Sequence, residues 1–249
     1  MYSHSERWKK AQELEKVYWQ KDFFRDSEYK ELIFKYADLF KQIEQKYNFS
    51  EDTTVLDLGC GATCPSTLFS KGKRFGVDPI VSGYLEKDRQ KLDGVIQLSE
   101  GTGEEIPFED GYFDVVLCRN ALDHMDNIDN VMKEIDRVLK PSGIVILSIY
   151  TYSPFIAFLK KASELVPMLR NIEHPFTFTP PQFRRFCAAT FDILDEIIVF
   201  EGKSSIDYGK QDVELSEPLS HKIFSWINRY LFMNRWFLRE MLITCRKQK

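Results

Sequence analysis

The stretch Val55-Leu56-Asp57-Leu58-Gly59-Cys60-Gly61-Ala62-Thr63, followed by Phe75-Gly76-Val77-Asp78-Pro79, constrains this chain more than any other. One apolar run of strand length ends at two closely spaced glycines. A second ends at an aspartate. The pattern predicts a buried strand, a tight turn, a helix and a second strand. Glycine lets the backbone approach a ligand that a Cβ would exclude. The helix after the turn would aim unpaired N–H groups at the same place. Asp78 lies 21 residues after Asp57, about where a nucleotide-binding βαβ unit offers a carboxylate to ribose hydroxyls. The expected ligand therefore carries a ribose.

The loop separates the ribose cofactors. A dinucleotide site uses G-x-G-x-x-G, and a third glycine counted from Gly59 would fall on Cys64. No Tyr is followed four residues later by Lys, the pair that short-chain reductases use. Instead, Asp57 to Thr63 resembles motif I of the class I S-adenosylmethionine-dependent methyltransferases, D-x-G-x-G-x-G, with Thr63 in place of the last glycine. Thr63 would sit in the first turn of the helix, where a hydroxyl caps well. Further along, Gly101-Thr102-Gly103-Glu104-Glu105-Ile106-Pro107-Phe108 to Val116 is similar to the family's G-D-A-E-x-L-P-F-x-D-x-x-F-D-V-V stretch. Arg137-Val138-Leu139-Lys140-Pro141-Ser142-Gly143 is similar to its R-V-L-K-P-G-G turn, with Ser142 for the first glycine. Matched motifs run from residue 54 to about 149.

The resemblance implies S-adenosylmethionine as cofactor and S-adenosylhomocysteine as product. It implies an α/β fold: a three-layer, doubly wound Rossmann-like sheet of seven strands, the last pair antiparallel, with N-terminal helices and a lid. Carried over position by position, the cofactor residues are Asp57, Gly59, Cys60, Gly61, Asp78, Pro79, Thr102, Gly103, Glu104, Arg119 and Asn120. Asp57 would orient the glycine loop and Asp78 would hold the ribose. In the family an acid after the first glycine of the second motif holds the adenine amino group. Thr102 stands there, so that contact would shift to Glu104 or to backbone amides.

The 249 residues suffice for one large domain or one domain with a lid. The net charge of −4 and a longest basic run of only Lys71-Gly72-Lys73-Arg74 argue against a nucleic-acid partner. No N/D-P-P-Y/F motif of nucleobase amino methyltransferases follows the fourth strand. No apolar run has the length of a membrane span, and the polar Met1–Lys10 stretch does not read as a signal peptide. Five cysteines without C-x-x-C spacing predict reduced thiols and a cytoplasmic location.

Hydrophobic periodicity predicts helices at 5–22 and 28–47, a helical cap over residues 1–49. Alternation then predicts strands at 54–58, 74–78, 94–98, 113–118, 144–150, 192–200 and 240–246. Helices are predicted at 63–70, 82–91, 127–139 and 180–189. The cofactor core would cover 50–200, with a lid insertion at 151–179, a second at 201–239, and the final strand within 240–249. The helix at 221–238 joins Trp226, Phe232, Trp236 and Phe237 with Lys222, Arg229 and Arg235. Such a face suits either a lid over the site or peripheral contact with a membrane. The long N-terminal helices, Asp78-Pro79 and the Asn120-to-His124 run also resemble, loosely, small-molecule methyltransferases found alongside surface-glycan biosynthesis.

Methyl transfer is an in-line displacement, so the protein must align the groups and exclude water. A hydroxyl acceptor also needs a base. The loop Cys118-Arg119-Asn120-Ala121-Leu122-Asp123-His124-Met125-Asp126 offers His124 and Asp123 as catalytic residues. The alternative is that they only shape the loop and start the helix after Asn127. Tyr18, Trp19 and His174 are candidates for contact with the acceptor, a small molecule or glycan; helix packing and a loop role are the alternatives. No two histidines or carboxylates have the spacing of a zinc helix or calcium loop, so no obligatory metal is expected.

Overall fold

A computed structural model of the chain describes residues 5–20, 22–166, 174–199 and 238–248. Its strands are β1 (Thr54–Leu58), β2 (Lys73–Asp78), β3 (Gln97–Glu100), β4 (Phe113–Arg119), β5 (Leu139–Tyr152), β6 (Phe191–Val199) and β7 (Leu238–Lys247). They form one sheet in the order β3-β2-β1-β4-β5-β7-β6. The pairs among β1 to β5 are parallel, whereas β7 runs antiparallel to both β5 and β6. This is the expected doubly wound sheet. Strand order reverses between β1 and β4, and ligands of open α/β sheets bind beyond the strand ends at such a point.

The central strands are apolar on both faces because helices cover both. Alternate residues go to opposite cores. Val115 and Leu117 of β4 join Leu32, Tyr36, Phe40 and Ile43 of helix α2 (Asp22–Lys46). Val116 and Cys118 join Val131, Met132, Ile135 and Val138 of helix α4 (Ile128–Val138) and Phe183 of helix α6 (Pro180–Ala188). The α2 residues recur at helical spacing, and Phe40 stacks on Phe69 with ring centroids 4.6 Å apart. Helix α1 (Glu6–Trp19) is held at its N-terminal end. Arg7 donates to both oxygens of Glu164 at 2.9 and 3.1 Å, and the Ser5 amide donates to Asp126 at 2.9 Å.

Several boundaries differ from those predicted. The helix expected at 63–70 is a single 3₁₀ turn, Pro65–Leu68. Cys64 has φ +42° and Pro65 follows it, so the chain enters the turn from the left-handed region with no side-chain cap from Thr63. Asp57 does the capping, accepting from the Ser66 amide at 2.7 Å. The helix expected at 82–91 divides into a 3₁₀ turn, Val81–Gly83, and α3 (Glu86–Leu92). β3 begins three residues later than expected, after Gly94 at φ +70°. β5 begins at Leu139 rather than 144, because Leu139 already pairs with Phe113. Ser142, which replaces a family glycine, keeps the left-handed conformation at φ +69°. Within the 151–179 insertion stands helix α5 (Pro154–Ser163), capped by Ser153.

The insertion at 201–239 and the amphipathic helix at 221–238 lie outside the described residues up to 237. Leu238 and Arg239 belong to β7. Among the described residues no helix is long and apolar enough to cross a membrane. All five cysteines are free and buried.

Candidate active site

A cleft of about 460 Å³ opens beyond the C-terminal ends of β1, β2 and β4. The glycine loop forms one wall. Gly59 and Gly61 adopt φ +67° and +54°, which side chains of L residues rarely do. A Cβ on Gly59 would lie 2.4 Å from the Ala121 Cβ, and one on Gly61 would lie 2.8 Å from the Trp19 ring. Space as well as backbone angle therefore demands glycine at both positions.

Asp78 closes the loop. One carboxylate oxygen accepts from the Gly61 amide and the other from the Ile80 amide, both at 3.0 Å. Burial pushes its carboxyl up to about 6, against the pull of those amides. Asp57 is likewise pushed up to about 6 by burial, although the Ser66 amide favours its charge.

The loop after β4 supplies a second set of groups. Asn120 sits at φ +47° with its Oδ1 buried and unbonded. Asp123 accepts a 2.8 Å hydrogen bond from, or shares a proton with, Nδ1 of His174. The His124 and His174 rings lie edge to face, 4.2 Å between centroids. Burial alone would raise Asp123, but the charges of His124 and His174 and the His174 bond hold it at about 2. Nδ1 of His124 lies 3.2 Å from Glu15 of α1 without lining up as a hydrogen bond. Asp123, His124 and His174 each bring a ligand-capable atom within 4.8 Å of the others.

Of the cofactor candidates, Gly59, Gly61, Asp78, Pro79, Thr102, Gly103, Glu104, Arg119 and Asn120 line the cleft. Cys60 does not: its side chain turns inward to Cys64, Leu92 and Ile96, leaving only its backbone for a ligand. Asp57 is buried behind the loop and accepts from the Ser66 amide. One oxygen of Glu104 accepts from the Asp126 and Asn127 amides at 2.8 and 3.0 Å, while the other is buried without a bond. Tyr18, Trp19, Asp123, His124 and His174 also line the cleft.

Sequence reading missed the roof and the support of Arg119. Trp8, Gln12 and Glu15 of α1 face the same cleft. The Arg119 guanidinium sits 4.3 Å above the Tyr36 ring, and its Nε lies 3.6 Å from Glu240 of β7. Glu240 accepts from Tyr36 and, at 2.8 Å, from Ser148. Burial would lower Arg119, but Tyr36 and Glu240 hold it fully charged. The available signal was Glu240 itself, a lone acid at the head of the apolar run Met241-Leu242-Ile243.

Residues 56–147 match the family described as a methyltransferase domain. A glycine/sarcosine/dimethylglycine N-methyltransferase of Actinopolyspora halophila is 27% identical over 147 residues, 56% of this chain and 25% of that protein. A demethylmenaquinone methyltransferase of Staphylococcus saprophyticus is 28% identical over 159 residues, 61% of this chain and 64% of that one. The chain thus spans less than two thirds of the length of either relative. Among solved structures, a putative methyltransferase from Bacillus halodurans C-125 superposes with a TM-score of 0.65 at 18% identity, covering 84% of this chain and 99% of that one. Residues 56–147 thus carry a methyltransferase domain, similar to the class I S-adenosylmethionine-dependent enzymes.

The residues present fit that family's cofactor. The glycine cradle leaves room that any Cβ would fill, and Glu104 and Asn120, each with a buried unbonded oxygen, line the same cleft as Asp78. A pH dependence follows. If ionised Asp78 accepts from ribose hydroxyls, a carboxyl near 6 loses that ability as pH falls. Affinity for S-adenosylhomocysteine is expected to drop about tenfold between pH 7 and pH 5. The effect on folding has the opposite sign. A folded-state carboxyl raised above its unfolded value favours folding while protonated, and that contribution is lost as pH rises from about 4 through 6. Calorimetric titration at the two pH values checks the binding; equal dissociation constants would refute the role of Asp78.

Proposed function

We propose that this chain transfers the methyl group of S-adenosylmethionine to a hydroxyl, or a carboxyl, of a small molecule or glycan. One observation carries the reading: a single cleft holds both the glycine cradle and the Asp123–His174 pair. A carboxylate on Nδ1 fixes the imidazole tautomer and leaves the other ring nitrogen to accept a proton. A hydroxyl acceptor requires such a base because it is neutral and weakly nucleophilic near pH 7.

When bound, the cofactor supplies an electrophilic methyl carbon and a neutral thioether leaving group. The chain does the rest. The glycine loop and Asp78 hold the nucleoside end. Trp8, Tyr18 and Trp19 of α1 wall the cleft against water, which would otherwise compete for the methyl group. His174, oriented by Asp123 and flanked by His124, takes the acceptor proton.

A nitrogen acceptor is the second reading, favoured by a relative named for N-methylation of glycine, sarcosine and dimethylglycine. Incubation with S-adenosylmethionine and separate panels of alcohols, sugars, carboxylates and amines decides between them. S-adenosylhomocysteine released only with the hydroxyl or carboxyl panels supports the proposal. Release only with amines replaces it. Binding of the cofactor without turnover on any panel would point to a binding protein. NAD binding tighter than S-adenosylhomocysteine binding would remove the cofactor assignment itself.

A further inference from the structure

We propose that Asp123, His124 and His174 form a binding site for a divalent transition-metal ion at the acceptor end of the cleft. Two imidazoles and one carboxylate converge there, with ligand-capable atoms all within 4.8 Å. Around a zinc-like ion, with bonds of about 2.0–2.2 Å, ligand atoms stand roughly 3–4 Å apart. The cluster therefore needs side-chain adjustments on the order of 1 Å, which rotation about χ angles provides. Its backbone is well placed to permit this. Asp123 and His124 sit in the 3₁₀ turn after β4, and His174 sits in the segment just before α6.

Three further features favour a cation. Asp123 is a buried carboxylate on the wall of the cleft. Nδ1 of His124 is a buried nitrogen without a hydrogen bond, 3.2 Å from the Glu15 carboxylate. A ring bound to a metal through one nitrogen commonly gives its other N–H to a carboxylate, and Glu15 stands where that partner would be. All three ligands line the cleft, so a fourth position would open toward the acceptor. A competing charge nearby is the Lys160 ammonium, which donates to Tyr152 at 3.1 Å.

The donor set selects the kind of ion. Imidazole nitrogen suits zinc, cobalt, iron and nickel, whereas magnesium and calcium prefer all-oxygen shells. With the ion bound, Asp123 and His174 would act as ligands in place of their mutual bond, and the metal rather than a free His174 nitrogen would ease loss of the hydroxyl proton, as it does for water on zinc. The proposal rests on the functional reading only for that consequence; metal binding itself is independent of it.

Cobalt(II) is the probe, added to untagged full-length chain that has been stripped with a chelator. Visible d–d absorption and calorimetry would report one site per chain. Removing one ligand by His174→Ala or Asp123→Ala is expected to weaken cobalt binding about 10–100-fold or more. Circular dichroism and S-adenosylhomocysteine titration show that each variant remains folded. Absence of cobalt binding in the unmodified chain overturns the proposal, as does unchanged affinity in both folded variants. The two readings fail separately. A chain that binds S-adenosylhomocysteine but no cobalt keeps the methyltransferase reading and loses the metal. A chain that binds cobalt through these residues but no S-adenosylhomocysteine does the reverse.

Discussion

Replacing His174 with alanine is expected to lower the rate of methyl transfer by about 10²–10⁴ while S-adenosylhomocysteine still binds. The expectation comes from the 2.8 Å bond between its Nδ1 and Asp123. An imidazole held in this way presents its other nitrogen as a proton acceptor, and a hydroxyl reacts slowly with a sulfonium unless its proton leaves. Asp123→Asn keeps the shape but removes the charge that orients the ring, so it is expected to lower the rate as well. The measurement is single-turnover transfer to the acceptor found in the panels, with cofactor affinity measured alongside. A His174→Ala enzyme with an unchanged rate would leave the ring a structural part of the loop. A rate lost together with cofactor affinity would point to a collapsed cleft instead.

Asp78→Ala is expected to weaken cofactor binding roughly ten- to a hundredfold. Charge-assisted hydrogen bonds of about 1.5–3 kcal/mol are lost, and each 1.4 kcal/mol is about tenfold in affinity. The same carboxylate holds the Gly61 and Ile80 amides, so the substitution also loosens the loop beneath the ligand. Asp78→Asn keeps an acceptor for one amide and is expected to fall between the parent and the alanine variant. Calorimetry with S-adenosylhomocysteine decides. An unchanged dissociation constant in Asp78→Ala would refute contact between this residue and the ribose.

The sheet was legible because its signals are local. Val115 to Cys118 shows an apolar run with no polar alternation, as a strand covered on both faces must. Gly59 and Gly61 announce a turn that only glycine can make. Where tertiary structure overrides local signal, the reading slipped. The turn after the glycine loop looked helical, but Pro65 and a left-handed Cys64 shorten it to one 3₁₀ turn. Cys60 lies in the right loop and faces the wrong way, which spacing cannot show. The Asp123–His124–His174 cluster was invisible for a different reason. Spacing rules find ligands on one helix or in one loop, and here two adjacent residues meet a third fifty positions further on. The Arg119–Tyr36–Glu240 group is more distant still, joining α2, β4 and β7.

The position of β7 bears on how the protein is made. β7 lies between β5 and β6, yet it follows both in the chain, and its pairing of Ile144 with Arg246 spans about a hundred residues. On the ribosome, β5 therefore waits with an open edge until residues 238–247 have been synthesised. Ile144 to Ile149 is an apolar segment of high β-propensity, the kind that pairs with other chains when left uncovered. Such long-range pairing is also slow. β7 brings Glu240 with it, so Arg119 meets its carboxylate partner only when this strand is inserted. Completion of the sheet and anchoring of the cleft residue Arg119 are then one event.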